Sequence, residues 1–174
     1  PDASAPSAWM ARVTSVVEQY LARIESGCVP LREGAVADYI PELAAVDPDR
    51  FALSLVVHDG HIYSAGDTTT EFTIQSISKA LTYALVLAVH GMQLIDSHIG
   101  VEPTGEAFNE VSVDPSSRRP RNPMINAGAL TAAALLIRPE DLPDRPTSRE
   151  EWAPHIDAAF ARILDFYSGC AGRR

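Results

Sequence analysis

The chain has 174 residues, of which 46% are hydrophobic and 21% charged, and its formal net charge is −9. This length and composition are typical of one globular domain, and the acidic balance argues against nucleic acid and anionic membranes as partners. The sequence shows no membrane-span pattern or signal peptide, and its two cysteines fit no disulfide or metal pattern. We therefore expect a cytoplasmic protein.

The first 50 residues predict one surface helix between irregular segments. Residues 1–9 are mostly small and include two prolines, which favours a mobile tail. Apolar residues then recur at helical spacing from Trp9 to Ile24, and Gly27 follows as a stop signal. Residues 28–50 are predicted to be irregular, with a short helical turn after Pro41.

A β-hairpin is predicted next. The run Phe51–Val57 favours a strand, Asp59-Gly60 is a strong hairpin turn, and His61–Ala65 returns as the second strand. Two strands alone are marginal in water, and no third strand is recognisable downstream. His58 lies before this turn, but no ligand set completes a metal site around it, so we expect no metal.

The second half predicts mainly helices. Ser76–His90 is apolar nearly all round and is ended by Gly91, which favours a helix buried on all sides. The stretch 92–126 has little regular pattern, and stretches this long in compact domains are usually either functional or disordered. A small-residue helix to about Ile137, a linker from Arg138 to Pro154 and a last helix from His155 to Tyr167 complete the prediction.

Lys79 is the only lysine in the chain, since every other Lys/Arg position is arginine. A guanidinium stays charged, whereas an ammonium can be desolvated to a neutral base, so one retained lysine points to proton transfer. Lys79 follows Ser76 by three residues at the start of an apolar helix, which is the arrangement of a Ser-x-x-Lys nucleophile. The alternative is structural, with Ser76 as a helix N-cap and Lys79 as a solvated first-turn side chain.

The predicted helix start suits acyl transfer. Residues three apart share a helix face, so a neutral Lys79 amine would lie beside the Ser76 hydroxyl and take its proton. The partial positive charge of the helix N-terminus favours the alkoxide that forms. The backbone N–H of Ser76 would bind the oxyanion of a tetrahedral intermediate. The implied reaction passes through a covalent acyl-enzyme.

Several strings, in order along the chain, resemble the serine-dependent glutaminases over about residues 35–137. They are Ala37–Pro41, Ser64–Asp67, Phe72–Lys79, Gly100–Gly105 with Phe108-Asn109, and Pro120–Ala129. The resemblance implies hydrolysis of L-glutamine to L-glutamate and ammonia, with neither a metal nor an organic cofactor. It also implies an α+β fold like that of serine β-lactamases and penicillin-binding proteins, with an antiparallel sheet, helices and a helical subdomain.

The resemblance also assigns roles to residues. Ser76 matches the family nucleophile and Lys79 its base, while Tyr39, Gln75, Ser76 and Asn126 match positions that contact bound glutamine. Hydroxyl and amide groups suit a small zwitterionic substrate because they form hydrogen bonds without adding net charge.

Family members are longer, and their second half supplies further site residues that nothing after about residue 140 matches. We therefore expect residues 10–174 to be the N-terminal part of a glutaminase catalytic domain that continues into a C-terminal half. A homo-oligomer is expected as well.

Two other functions stay open. β-Lactamases and D,D-peptidases share Ser-x-x-Lys but also need Lys-Thr-Gly and Ser-x-Asn elements, and neither occurs in this chain. The other alternative is a non-catalytic glutamine-binding module that keeps the fold.

Overall fold

A computed structural model describes residues 15–107, 109–137 and 146–173. The chain divides into two compact units, Pro1–Thr73 and Ile74–Arg174. The predicted tail, residues 1–9, and the start of the helix predicted from Trp9 lie outside the described residues.

The first unit is built on a capped helix. Helix α1, Val16–Cys28, begins with a capping box in which the Ser15 hydroxyl accepts from the Glu18 N–H and the Glu18 carboxylate accepts from the Ser15 N–H. Leu21 is buried as α1 packs on the hairpin. The short helix α2, Pro41–Ala44, confirms the predicted turn.

The hairpin is confirmed. Strands β1, Ala52–Val56, and β2, Ile62–Gly66, pair antiparallel with Val56 opposite Ile62. Gly60 takes the turn with φ of 85°, and the Asp59 carboxylate accepts from the His61 N–H at 2.9 Å. In the part of the chain that the structure describes, the sheet has these two strands.

The second unit is helical around a buried core. It contains α3 (Ile77–His90), α4 (Met92–His98), α5 (Asn126–Ala134) and α6 (Arg149–Cys170). All four helices or their flanking residues contribute to one buried cluster, which comprises Val86, Ile95, Ile99, Ala132, Leu136 and Ala159. None of the helices in the described ranges is long and apolar enough to cross a bilayer.

Three expectations for the helices were wrong. Helix α3 buries Thr82 and Val86 but leaves Ile77 57% exposed, because α4, α5 and α6 cover only part of it. Helix α4 was missed because seven residues carry too little periodic signal. Helix α6 begins at Arg149, inside the predicted linker, because a capping box at Ser148 starts the helix there. Pro154, which was predicted to end the linker, lies within the helix.

The long loop before α5 is ordered by hydrogen bonds more than by regular structure. It holds one isolated antiparallel bridge, Val113 to Pro120. Asp114 closes its tip by accepting hydrogen bonds from Ser116 and Ser117, which lower the pKa of its carboxyl group far below the usual range. The predicted scarcity of regular structure is thus confirmed for the described part of residues 99–125. Phe108 lies outside it.

Candidate active site

The residue before the first turn of α3 has an unusual backbone. Gln75 has a φ of 42°, in the left-handed region that costs a non-glycine residue free energy. Its carbonyl accepts from both the N–H and the hydroxyl of Ser78, the latter at 2.7 Å. The Ser78 hydroxyl is therefore engaged within the turn, while the strained backbone at Gln75 sets the direction in which the next residue leaves.

Ser76 occupies the N-cap position of α3, yet its side chain makes no capping hydrogen bond within the described chain. The N–H groups of Ile77, Ser78 and Lys79 donate to backbone carbonyls of the same turn. The backbone N–H of Ser76 has no acceptor among the described residues. Ser76 is an exposed residue that carries a hydroxyl and a backbone N–H.

The Lys79 side chain is held from the start of α5. Its Nζ donates to the Met124 carbonyl at 3.0 Å and to Asn126 Oδ1 at 2.7 Å. The first residue of α5, Asn126, thus orients its amide oxygen towards the lysine. Lys79 is half-buried, and its amine contacts two oxygen acceptors.

The segment that holds Lys79 is itself fixed by Asn122. The Asn122 Oδ1 accepts from the N–H groups of Met124 and Ile125, and its Nδ2 donates to the Glu102 carbonyl at 3.0 Å. Gly128 lets this segment lie against α5, since a Cβ there would stand 2.0 Å from the Asn122 carbonyl oxygen. The loop at Glu102, the segment from Asn122 to Ile125 and helix α5 are therefore linked to one another, and the last two contribute the contacts to Lys79.

An open groove of about 330 Å³ lies beside these contacts. Its lining comes from α3 and α5 and comprises Ser78, Lys79, Thr82, Asn126, Ala129, Leu130 and Ala133. A larger opening of about 920 Å³ near the end of α6 contains none of the predicted site residues, so size alone does not locate the site. The candidate site is therefore defined by the polar contacts to Lys79.

Of the predicted site residues, the structure brings Lys79 and Asn126 into contact and places Gln75 and Ser76 directly before the first turn of α3. Tyr39 belongs to the other unit, where its side chain is 76% exposed. Sequence reasoning missed the Met124 carbonyl and Asn122. The string Pro120–Ala129 contains both, but a backbone acceptor leaves no side-chain signal.

The described residues contain no group of three or more His, Cys, Asp or Glu side chains that could hold a metal ion. Three groups elsewhere in the described chain have clearly shifted pKa values. Burial, with a smaller contribution from Asp96, raises the pKa of Tyr83, while hydrogen bonds lower the pKa values of Asp114 and Glu151. The site as described is made of hydroxyl, amine, amide and backbone groups.

Comparison with known proteins identifies the family. A family model described as glutaminase matches residues 34–173. A glutaminase from Trichormus variabilis is 54% identical over 106 residues, which cover 61% of this chain and 32% of the relative. A glutaminase from Corynebacterium efficiens is 39% identical over 161 residues, covering 92% of this chain and 35% of that protein.

Comparison with solved structures points to the same family. The crystal structure of Mglu in its tris and glutamate form matches with a TM-score of 0.73 and 42% identity, over 91% of this chain and 32% of that one. A probable glutaminase, ybaS, gives a TM-score of 0.68 at 32% identity over 87% of this chain and 45% of the other. The chain therefore spans about a third of the length of the curated relatives quoted. Because the family model matches most of its residues, the chain belongs to the glutaminase family.

Proposed function

We propose that the protein hydrolyses the side-chain amide of L-glutamine to L-glutamate and ammonia, with Ser76 as the nucleophile and Lys79 as the base. The observation that carries the proposal is the Lys79 amine, held by the Met124 carbonyl and Asn126 Oδ1 on the helix turn that begins at Ser76. Membership of the glutaminase family supports glutamine as the substrate.

In the first half of the reaction, the Ser76 hydroxyl oxygen attacks the amide carbon while Lys79 takes its proton. The carbonyl oxygen becomes an oxyanion, for which the N–H of Ser76 is the available backbone donor of the turn. The C–N bond then breaks, and the leaving nitrogen takes the proton from Lys79 to depart as ammonia. The glutamyl group remains as an ester on Ser76.

In the second half, Lys79 takes a proton from a water molecule whose oxygen attacks the ester carbon. The C–O bond to Ser76 breaks, the serine oxygen regains the proton from Lys79, and L-glutamate leaves. The groups that react with the substrate in these steps are the Ser76 and Lys79 side chains and a water molecule, and the Ser76 N–H stabilises the oxyanion. Tyr39, Gln75, Ser76 and Asn126 are the proposed contacts to the substrate.

The nucleophile is tested in the full-length protein with a glutamine analogue that carries a diazo-ketone group. We expect mass spectrometry to find the adduct on Ser76, and Ser76→Ala to abolish both labelling and ammonia release. Ser78→Ala is the matched control, because its hydroxyl is already engaged by Gln75, and the adduct should stay on Ser76. Labelling of Ser78 would contradict the assignment.

The two alternative functions are outcomes of the same assays. Turnover of nitrocefin would favour a β-lactamase or D,D-peptidase. Glutamine binding without ammonia release would favour a non-catalytic module.

We further propose a homo-oligomeric, cytoplasmic enzyme with a β-lactamase-like fold, as the resemblance and the cysteine pattern suggest. Light scattering of the purified protein and fractionation of cells test the first two points.

A further inference from the structure

The Tyr167 hydroxyl, near the end of α6, reaches the first turns of α3. It donates to the Ser78 carbonyl at 2.7 Å and lies 2.7 Å from Thr82 Oγ1. A phenol has one hydrogen and a carbonyl only accepts, so the Thr82 hydroxyl is the donor in the second bond. Thr82 is 8% exposed, and water therefore has little access to replace these bonds.

The two bonds fix a specific part of α3. The Ser78 carbonyl belongs to the peptide group that joins Ser78 to Lys79, and Thr82 lies one turn further along the same face. Two hydrogen bonds one turn apart fix both the position of α3 along its axis and its rotation about that axis, relative to α6. The backbone of Lys79 is thus held from α6, while its amine is held from the start of α5.

We propose that Tyr167 is a positioning residue for the Ser76–Lys79 pair, acting through the Ser78 carbonyl and the Thr82 hydroxyl. The proposal rests on the proposed function, since it assumes that Lys79 transfers the serine proton. Proton transfer depends on sub-ångström placement of donor and acceptor. The phenol ring of Tyr167 would pack equally well as phenylalanine, so the hydroxyl is the group that bears on function.

The test is Tyr167→Phe in the full-length protein, with Tyr63→Phe in the hairpin as the matched control. We expect kcat per active site, titrated with the diazo-ketone analogue, to fall about five- to twentyfold while KM stays within about twofold. The rate of Ser76 labelling should fall by the same factor. Tyr63→Phe should leave these rates unchanged.

Substitutions of Thr82 provide a second test of the inference. Thr82→Val removes one of the two bonds, and Thr82→Ser, which keeps the hydroxyl, should restore the rate. Because both residues act through one bridge, Tyr167→Phe with Thr82→Val should be no slower than Tyr167→Phe alone.

The inference is overturned by a wild-type kcat per titrated site in Tyr167→Phe, even with a lower melting temperature, since that marks a packing role only. Multiplicative effects of the two substitutions, or a change confined to KM, overturn it as well. Ser76→Ala distinguishes failure of the proposed function from failure of this inference alone. If it retains activity, the proposed function fails and takes this inference with it, whereas an inactive Ser76→Ala beside a wild-type Tyr167→Phe removes this inference alone.

Discussion

The two units of the chain bury their apolar side chains to different extents. In the helical unit, Val86, Ile95 and Ile99 are fully buried in one cluster. In the hairpin unit, Leu21 is the buried hydrophobic among the described residues, and Leu55, Val56 and Ile62 on the strands are exposed.

The proposed chemistry follows the same division. Ser76, Lys79 and Asn126 lie at the ends of helices anchored by the buried cluster, whereas Tyr39 lies in the loosely packed unit. Reacting groups need rigid support to hold their geometry. The comparison therefore predicts that function and local stability both depend most on the helical unit.

The largest expected effect is on the base itself. Lys79→Arg should lower kcat in the full-length protein by about 10²–10⁴-fold, because a guanidinium keeps its proton even though charge and bulk are retained. Arg50→Lys on the hairpin unit, where Arg50 bonds Thr70, is the control and should keep its rate. Retention of more than about a tenth of the wild-type rate in Lys79→Arg would disprove the Ser-Lys mechanism.

Core truncation compares the stability of the two units directly. Leu136 is 2% exposed, so Leu136→Ala should cost about 2–5 kcal/mol of local unfolding free energy. Leu55 is 43% exposed, and Leu55→Ala should cost less than about 1 kcal/mol. Amide hydrogen exchange measures both losses, and equal losses would break the comparison.

A single added methyl group should disturb the site. In Gly128→Ala the new Cβ meets the Asn122 carbonyl oxygen at 2.0 Å, so the backbone at Asn122 or Gly128 must shift. We expect this shift to disturb the contacts of Met124 and Asn126 with Lys79. We expect kcat to fall about tenfold or more. Gly27→Ala in α1 meets nothing within 4 Å and serves as the control. Unchanged kinetics in Gly128→Ala would show that this segment does not position the lysine.

Each unit contains a helix with a capping box, and removing either cap should have a smaller effect of similar size on helix stability. Ser148→Ala and Ser15→Ala each remove an N-cap bond and should each cost about 1 kcal/mol of helix stability. Hydrogen exchange should show the loss within the capped helix and its own unit. Loss of protection in α6 on replacing Ser15 would show that the effect of the cap is not local to α1.

The smallest effect concerns pH. Hydrogen bonds from the N–H groups of Thr147 and Ser148 hold the pKa of the Glu151 carboxyl below its usual value. A depressed pKa in the folded state means that the stabilisation is present above the unfolded pKa, about 4.3, and is lost as pH falls through the folded value. Protection of α6 should therefore weaken in acid in the wild type. A Glu151→Gln variant that keeps the same acid sensitivity would assign the effect to other groups.

Much of the local structure was predictable because its signals are local. The turn at Asp59-Gly60 depends on the backbone freedom of two neighbouring residues, and helix α1 depends on apolar spacing within one segment. The serine and lysine of the candidate site were recognisable for the same reason, since three residues of separation place them on one helix turn. The string Pro120–Ala129, which resembles the glutaminase family, also pointed to Asn126.

Other features were decided only by tertiary structure. The partial exposure of α3 depends on which neighbours reach it, and the early start of α6 reflects a cap that overrides a proline. The Met124 carbonyl and the Tyr167 hydroxyl reach the first turns of α3 from 45 and 89 residues away, respectively. The sequence by itself determined which groups can react, because that is a property of side-chain chemistry. The structure decided what holds them, because contacts between distant segments leave no periodic or local signal.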